Sequence, residues 1–346
     1  MSVEELRNNN EWDEFLRESL QGTFYHSLKW KEVIEKSFSY RAHYLVVKNG
    51  NGKIIGICPA FIRKYGGLKI YTSMPHSDFG GPIIKESYVE KSAFLLKNFI
   101  EELCFEQGIS CAEIYFSDEK VARFFKSSPG YVDSSRGVMF LDLKVRSSDI
   151  IWKEIFSGKQ RYEIKRFERN GFCIREASTK SDLREFYRLY LDNMRHLDSY
   201  GNPYSFFRNI WDLLFPKNFN MLLLEKGKCL GGLAQFKYEK GIYGGYVAID
   251  RQWNWGRYSM MPYMIWKLIS WAEENGFRYI SLGSTPSQNA NAYHIQKSNF
   301  GAAFLQQEKV TIPFSFNAKV YMLAKTKAIP SCKQSEKFFP INFELS

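Results

Sequence analysis

The feature of this sequence that most constrains its fold is one order of elements that occurs twice. The first copy contains two apolar strands around the turn Asn49-Gly50-Asn51-Gly52, which is a strong hairpin signal. A strand, an amphipathic helix and another strand follow this hairpin. The four parts of the first copy cover residues 43–62, 68–72, 91–107 and 112–116. The four parts of the second copy cover residues 220–238, 242–249, 260–274 and 277–282.

The spacing between the two copies predicts a duplicated unit. The hairpins are offset by about 175 residues and the helices by about 170. The boundary is predicted at Arg146–Asp149, where Ser148 or Asp149 can cap the helix that follows. The sequence therefore predicts an α/β protein with mixed sheets and two tandem domains, at 1–147 and 148–316. A basic C-terminal tail, 317–346, follows the second domain.

Composition narrows the class of protein. A hydrophobic content of 45% and an aromatic content of 17% exclude disorder as the main state of the 346 residues. The N-terminus is acidic and polar, and the six cysteines show no CxxC or metal-type spacing, so we expect reduced thiols, no metal site and a cytoplasmic location. A net charge of +11 favours an anionic partner, such as a nucleic acid, a nucleotide or an acidic membrane face. The alternative is a mildly basic protein without such a partner.

A basic segment opens the predicted second domain. A helix is predicted over about 149–170, and a four-residue spacing places three of its cations on one face. The cations of the segment are Lys159, Arg161, Lys165, Arg166 and Arg169. The alternative is a solvated charged face that Glu163 and Glu168 partly neutralise.

A polar loop follows the last strand of the second copy. Residues 284–291 are rich in Ser, Thr, Asn and Gln, and they follow the carboxyl end of a strand, where α/β proteins usually bind ligands. An amphipathic segment, Tyr293-His294-Ile295-Gln296-Lys297, comes next. Lys297, if cationic, can stabilise an oxyanion or hold a phosphate, and His294 can act as a base. The alternatives are a surface lysine at a helix end and a structural histidine.

The repeated hairpin, strand, helix and strand resemble the plan of the GNAT acyltransferase fold. In that family the acyl-CoA pyrophosphate lies on a glycine-rich turn at a helix N-terminus. The corresponding turn here, Arg251–Ser259, has one glycine where the family pattern has two. We therefore expect two GNAT-like domains with weak or undetectable binding of acetyl-CoA.

Two GNAT-like halves with degraded CoA turns resemble the Fem family, the FemABX aminoacyltransferases. The matching parts are the basic segment 158–171, Tyr246 with the helix and strand of 258–283, Trp30 in a first-domain helix, and the ending 293–301. The resemblance covers about residues 20–315. It implies transfer of an amino acid from aminoacyl-tRNA to an amine of a peptidoglycan-type cell-envelope precursor, without a bound cofactor.

The resemblance also implies roles for individual residues. The implied catalytic residues are Lys297 and His294, and the five cations of the basic segment are assigned to tRNA. Substrate binding is assigned to Trp30, Lys31, Tyr246, Asn291 and Tyr293. The charge further suggests peripheral contact with the inner face of a membrane.

Departures from the Fem pattern keep other functions open. Glu32 and Ile34 stand where Fem enzymes tend to place a substrate-binding lysine, and Asn202-Pro203 replaces an expected arginine-proline. One alternative is an acyl-CoA-dependent N-acyltransferase that acts on an amino sugar of a surface polysaccharide. Another is a non-catalytic nucleic-acid-binding protein, for which binding without turnover is expected.

Overall fold

The computed structural model describes residues 1–256, 258–287 and 292–327. Its strands are β1 (Ser2–Glu5), β2 (Arg41–Lys48), β3 (Ile54–Tyr65), β4 (Leu68–Thr72), β5 (Ile83–Ile84), β6 (Cys111–Phe116), β7 (Tyr131–Asp133), β8 (Arg136–Asp142), β9 (Cys173–Glu176), β10 (Phe219–Glu225), β11 (Cys229–Tyr238), β12 (Gly241–Ile249), β13 (Tyr279–Pro286), β14 (Ala303–Gln306) and β15 (Glu308–Pro313). Its helices are α1 (Asn9–Glu18), α2 (Leu28–Ser37), α3 (Val89–Glu106), α4 (Glu119–Lys126), α5 (Ser148–Ile150), α6 (Gly158–Arg169), α7 (Lys180–His196), α8 (Tyr204–Leu214), α9 (Met260–Glu274), α10 (Ala292–Ser298) and α11 (Phe316–Lys327). A π-helical turn, Ile151–Ile155, follows α5.

The chain folds into two compact units. Among the described residues, unit 1 consists of 1–136 and 306–327, and unit 2 consists of 137–305. Each unit is built on its own sheet.

The sheet of unit 1 has the strand order β1-β2-β3-β4-β6-β15-β7, with β5 beside β3. Strands β4 and β6 are parallel, and β15 lies antiparallel to both β6 and β7. Alternating residues of the strands bury one face of the sheet against α3, where Leu96 and Ile100 are fully buried. Aromatic side chains dominate elsewhere in this unit, and Trp12 lies with its ring centroid 4.8 Å from that of Tyr44.

The sheet of unit 2 has the order β14-β8-β13-β12-β11-β10-β9. Helix α9 covers one face, where Leu268 packs in a core with Leu222, Leu233 and Ile280. Helix α7 packs on β11 and β12, and the rings of Phe207 and the β12 residue Tyr246 lie 4.8 Å apart. The two sheets therefore share one plan, and the predicted duplication of a GNAT-like unit is confirmed.

The position of the boundary differs from the prediction. The first unit ends at Arg136 rather than at 147, because β8 hydrogen-bonds within the second sheet and Met139, Leu141 and Leu143 are buried in its core. Residues 306–316, which were predicted to belong to the second domain, return to unit 1 because β15 lies between β6 and β7. Strand β15 is thus the sixth strand of the unit 1 sheet, counted from β1. Strand β8 is the sixth strand of the unit 2 sheet, counted from β9. The apolar pattern of a strand does not show which other strand it pairs with, so the sequence does not indicate this exchange.

The predicted helix at 149–170 is divided. Phe156 adopts an extended conformation, and Ser157 then caps α6 by accepting a hydrogen bond from the backbone N–H of Gln160. The side chain of Gln160 in turn accepts a hydrogen bond from the N–H of Ser157, which completes a capping box. None of the helices among the described residues is long and apolar enough to cross a bilayer.

Candidate active site in the second unit

Strands β12 and β13 run side by side for only a short distance. Their parallel ladder extends from Gly241 opposite Tyr279 to Tyr243 opposite Ser281. Past this point the described parts of the two strands form no further ladder pairs, although β12 continues to Ile249. Gly283, with a φ of 79°, lies just beyond the last pair, in a conformation that only glycine adopts readily. The strands therefore diverge at the carboxyl end of β13.

Lys297 lies at this divergence. Its side chain is fully buried, and its ammonium donates hydrogen bonds to the carbonyl oxygens of Gly283 at 3.2 Å and Ser284 at 2.8 Å. Backbone carbonyls are favourable partners for a buried cation, which would otherwise lose its hydration without compensation. The burial excludes the alternative of a surface lysine, and the two hydrogen bonds fix the amino group of Lys297 beside Gly283 and Ser284 of β13.

Two further polar side chains are buried near Lys297 in sequence. His294 lies one helical turn earlier on α10, with Nδ1 3.3 Å from the carbonyl oxygen of Pro286 and its ring 5.1 Å from Phe304. Thr285, next to Ser284, is buried, and its hydroxyl has no hydrogen-bond partner in the described part of the chain. Sequence reasoning placed Thr285 in a polar loop but gave it no role. Its burial cannot be read from the sequence.

The turn before α9 contains a carboxylate, that of Asp250, which accepts hydrogen bonds from the turn itself. The carboxylate of Asp250 accepts hydrogen bonds from the backbone N–H groups of Gln252 at 3.0 Å and Trp253 at 3.2 Å, and from Lys228 Nζ at 2.8 Å. Burial raises the pKa of Asp250, but Lys228 and the two N–H groups outweigh burial and hold this pKa below its ordinary value. Two N–H groups of this turn, those of Gln252 and Trp253, are therefore already occupied. Pro262, in the first turn of α9, has no N–H to offer to a pyrophosphate.

In unit 1, backbone atoms occupy the position just past the ladder between the parallel strands β4 and β6. Past the β4–β6 ladder, the hydroxyl of Ser73 accepts a hydrogen bond from the N–H of Tyr115 at 2.8 Å. A Cβ atom on Gly81, whose φ is 88°, would lie 1.7 Å from the carbonyl oxygen of Tyr115. Residues 73–82 thus pack directly against the end of β6.

The structure divides the five predicted tRNA-binding cations into two groups. Arg161 is engaged by the protein itself, because its Nη1 donates to the carbonyl oxygens of Trp152, Lys153 and Phe156 at 2.9, 3.1 and 2.5 Å. The exposed cations are Lys159, Lys165 and Arg169, and Arg166 is partly buried with its guanidinium 4.5 Å from the ring of Tyr258. Their assignment to tRNA stays a prediction.

Two of the predicted substrate-binding residues, Trp30 and Lys31, belong to unit 1. Trp30 is fully buried between Phe24 and Tyr25, and Lys31 forms an ion pair with Glu35 at 3.1 Å.

In unit 2, Tyr246 is buried against α7 and α8. Asn291 and the side chain of Tyr293 lie outside the described residues. Substrate contact by these residues also stays a prediction.

Comparison with known proteins agrees with this architecture. Residues 157–293 match the family described as an acetyltransferase (GNAT) domain. No curated protein sequence matches the chain. The match lies within unit 2, and it includes β12, the turn before α9 and β13.

Solved structures match nearly the whole chain. FemX superposes with a TM-score of 0.71 at 13% identity, covering 93% of this chain and 99% of that chain. A tandem GNAT protein from the clavulanic acid biosynthesis pathway gives 0.59 at 10% identity, with 90% and 98% covered. L-PGS from Bacillus licheniformis gives 0.58 at 14% identity, with 95% and 98% covered. These similarities show a FemX-like fold of two tandem GNAT-like units, the second of which contains the match to the acetyltransferase (GNAT) domain family.

Proposed function

We propose that this tandem GNAT chain of FemX-like fold is an aminoacyltransferase, which moves an aminoacyl group from aminoacyl-tRNA to an amine of a cell-envelope precursor. The observation that carries the proposal is the buried ammonium of Lys297 at the place where β13 leaves β12. The fold likeness to FemX and the GNAT match over 157–293 support transfer of an acyl group. The amino acid and the acceptor remain to be identified by experiment.

The reaction requires stabilisation of negative charge. The acceptor amine attacks the ester carbonyl, and the resulting tetrahedral intermediate carries an oxyanion. The ester C–O bond then breaks, the RNA hydroxyl leaves, and the proton lost by the amine goes to that leaving oxygen. A fixed cation such as Lys297 stabilises the oxyanion, and His294 is the nearest candidate in the sequence for moving the proton.

The donor is inferred from the turn before α9 and from the charge of the chain. Asp250 occupies the N–H groups of Gln252 and Trp253, and the turn 251–259 has a single glycine, so we expect weak binding of an acyl-CoA pyrophosphate there. A net charge of +11 and the exposed cations of α6 suit the phosphate backbone of an RNA. An aminoacyl-RNA donor therefore fits unit 2 better than acyl-CoA does. We extend the proposal to peripheral contact with an acidic membrane face, where a lipid-linked acceptor would be found.

The GNAT match keeps a second function open, acyl-CoA-dependent N-acylation of an amino sugar in a surface polysaccharide. The two functions are separated by offering labelled aminoacyl-tRNA pools and, in parallel, labelled acetyl-CoA, with envelope-precursor extract as acceptor. We expect label transfer from aminoacyl-tRNA and no calorimetric signal for acetyl-CoA. Micromolar binding of acetyl-CoA together with transfer from it would overturn the proposal in favour of the alternative. Binding of tRNA without transfer from either donor would indicate a non-catalytic nucleic-acid-binding protein.

A further inference from the structure

The outer surface of α6 has an aromatic ring at its centre. Tyr162 is 57% exposed, whereas Ile164 and Phe167 on the opposite side of the helix are buried. Residues three, four and seven positions away are neighbours along one side of an α-helix. At Tyr162 the neighbours at these spacings are Lys159, Lys165, Arg166 and Arg169. The outer surface of α6 therefore carries an exposed aromatic ring with cations on both sides of it along the helix.

The charge of this face is not cancelled by α6 itself. Of the two carboxylates of α6, Glu168 forms an ion pair with Lys267 of α9 at 2.7 Å, and Glu163 lies next to Tyr162 in the sequence. The guanidinium of Arg169 lies 5.7 Å from the Tyr162 ring, so the ring is supported on the helix rather than loose. Arg161, by contrast, is held by the carbonyls that precede α6. The exposed residues of this surface are Lys159, Tyr162, Lys165 and Arg169, and together with the partly buried Arg166 they are called the α6 face below.

The combination of ring and cations selects among anionic partners. A duplex is bound through phosphates and needs cations alone, because its bases are stacked inside. A single strand offers phosphates and unstacked bases together, and proteins bind it with a positive groove and aromatic stacking platforms. An acidic bilayer also attracts cations and aromatic side chains, but this helix shows a single exposed ring and buries Ile164 and Phe167 inward.

Helix α6 is linked to the candidate active site within unit 2. The side chain of Gln160 on α6 donates a hydrogen bond to the carbonyl oxygen of Asn299 at 3.3 Å. Asn299 follows Lys297 by two residues. Gln160 lies on the side of α6 that also carries Ile164 and Phe167, so this side packs beside the segment that carries Lys297, and the α6 face lies on the other side of the same helix.

We infer that the α6 face binds the unpaired terminal nucleotides of the RNA donor, with Tyr162 stacking on a base and the four surrounding cations holding the phosphates. The inference rests on the proposed function and adds a residue that sequence reasoning did not select. It predicts that Tyr162 contributes to affinity without contributing to the salt dependence of binding, because a stacked ring releases no counterions.

The test measures fluorescence anisotropy of an end-labelled single-stranded RNA, with the full chain, over a salt titration. Tyr162→Ala should weaken binding by about tenfold with an unchanged salt slope, and Tyr162→Trp should retain binding. Lys165→Gln should lower the slope by about 0.7, the value for one phosphate contact with a single strand. Tyr65→Ala is the matched control, because Tyr65 is also exposed, at 37%, and has the Arg63 guanidinium 5.7 Å from its ring, but lies in unit 1.

Each outcome has one meaning. Binding by Tyr162→Ala within twofold of wild type, or a loss equal to that of Tyr65→Ala, overturns the stacking role even if transfer from aminoacyl-tRNA proceeds. Equal affinity for the same sequence as a blunt duplex, or binding to vesicles rich in phosphatidylglycerol that Tyr162→Ala abolishes while RNA binding is unaffected, also overturns it. Absence of RNA binding by the wild-type chain removes both this inference and the proposed donor. Failure of the transfer assay with intact RNA stacking contradicts the proposed function alone.

Discussion

The two units share a strand order but differ where two parallel strands reach their carboxyl ends. In unit 1, Ser73 and Gly81 bring residues 73–82 against Tyr115 at the end of β6. In unit 2, β13 continues past its ladder with β12, and the carbonyls of Gly283 and Ser284 are met by the ammonium of Lys297. One unit fills this position with its own backbone, whereas the other places a cation there.

The two units therefore share a fold, but the chemical groups at the corresponding position differ. The buried lysine of unit 1, Lys309, faces a carboxylate, since its Nζ lies 3.6 Å from Asp133. A carboxylate lies beside the amino group of Lys309, whereas the amino group of Lys297 donates hydrogen bonds to the carbonyl oxygens of Gly283 and Ser284. Our proposal accordingly assigns the reaction to unit 2 and a structural role to Lys309 of unit 1.

The largest effect is expected at Gly81. Gly81→Ala should lower the free energy of unfolding by at least about 3 kcal/mol, because the new Cβ meets the Tyr115 carbonyl and the backbone is in the left-handed region. Gly52→Ala is the matched control, since Gly52 has a similar φ of 77° but nothing within 4 Å of a built Cβ. Its cost should be about 1 kcal/mol. Urea unfolding measures both, and equal costs would show that residues 73–82 do not fill the end of unit 1.

The next effect concerns the buried lysine of unit 1. Lys309→Met should lower stability at neutral pH by about 1 kcal/mol and leave the rate of transfer within about twofold, because Lys309 is paired for structure. Burial raises the pKa of Asp133, but Lys309 and Ser135 outweigh burial and lower this pKa below its ordinary value of 3.8.

The stabilisation from Asp133 is therefore present above that value and is lost as the pH falls through the lowered folded pKa. The free energy of unfolding should change less between neutral and acid pH in Lys309→Met than in the wild type. A Met variant with unchanged stability but slower transfer would contradict the assignment of chemistry to unit 2.

A smaller effect is expected on α6, where the variant Lys165→Gln/Arg169→Gln removes two exposed cations. Its affinity for tRNA should fall by about tenfold and its salt slope by about 1.4 to 1.8. The matched control is Lys64→Gln/Lys91→Gln, which removes the same charge from exposed positions of unit 1. Equal losses in both variants would indicate that net charge, rather than the α6 face, attracts the RNA. Arg161→Gln should instead reduce stability, since it uncaps three carbonyls.

Much of the fold could be predicted from the sequence because its elements carry local signals. The Asn49–Gly52 turn, the apolar period of α9 and the Gly276 stop each depend on neighbouring residues alone. The exchange of β8 and β15 could not be predicted, because pairing between distant strands leaves no local pattern. The break at Phe156–Ser157 was missed although the capping pair of Ser157 and Gln160 is a readable signal.

The site was predicted less completely than the fold. Lys297 and His294 were selected from their place after a strand, but the burial of Lys297 depends on how α10 packs against β13. The capping role of Arg161 was equally hidden, because the four-residue spacing of cations does not reveal which one turns back to the chain. The central position of Tyr162 among the cations follows from helical spacing and could be predicted from the sequence, but its exposure could not.

The most direct test of the account is single-turnover transfer from labelled aminoacyl-tRNA by wild-type protein, Lys297→Ala and Lys297→Met, with Lys309→Met as the comparison from unit 1. Unfolding curves and tRNA affinity are measured on the same preparations, so that a loss of fold is not mistaken for a loss of chemistry. The account predicts a rate about 10²-fold lower for both Lys297 variants, with tRNA binding within about twofold of wild type and near-normal transfer by Lys309→Met. Wild-type rates in folded Lys297 variants would contradict the claim that the buried ammonium of unit 2 carries the reaction.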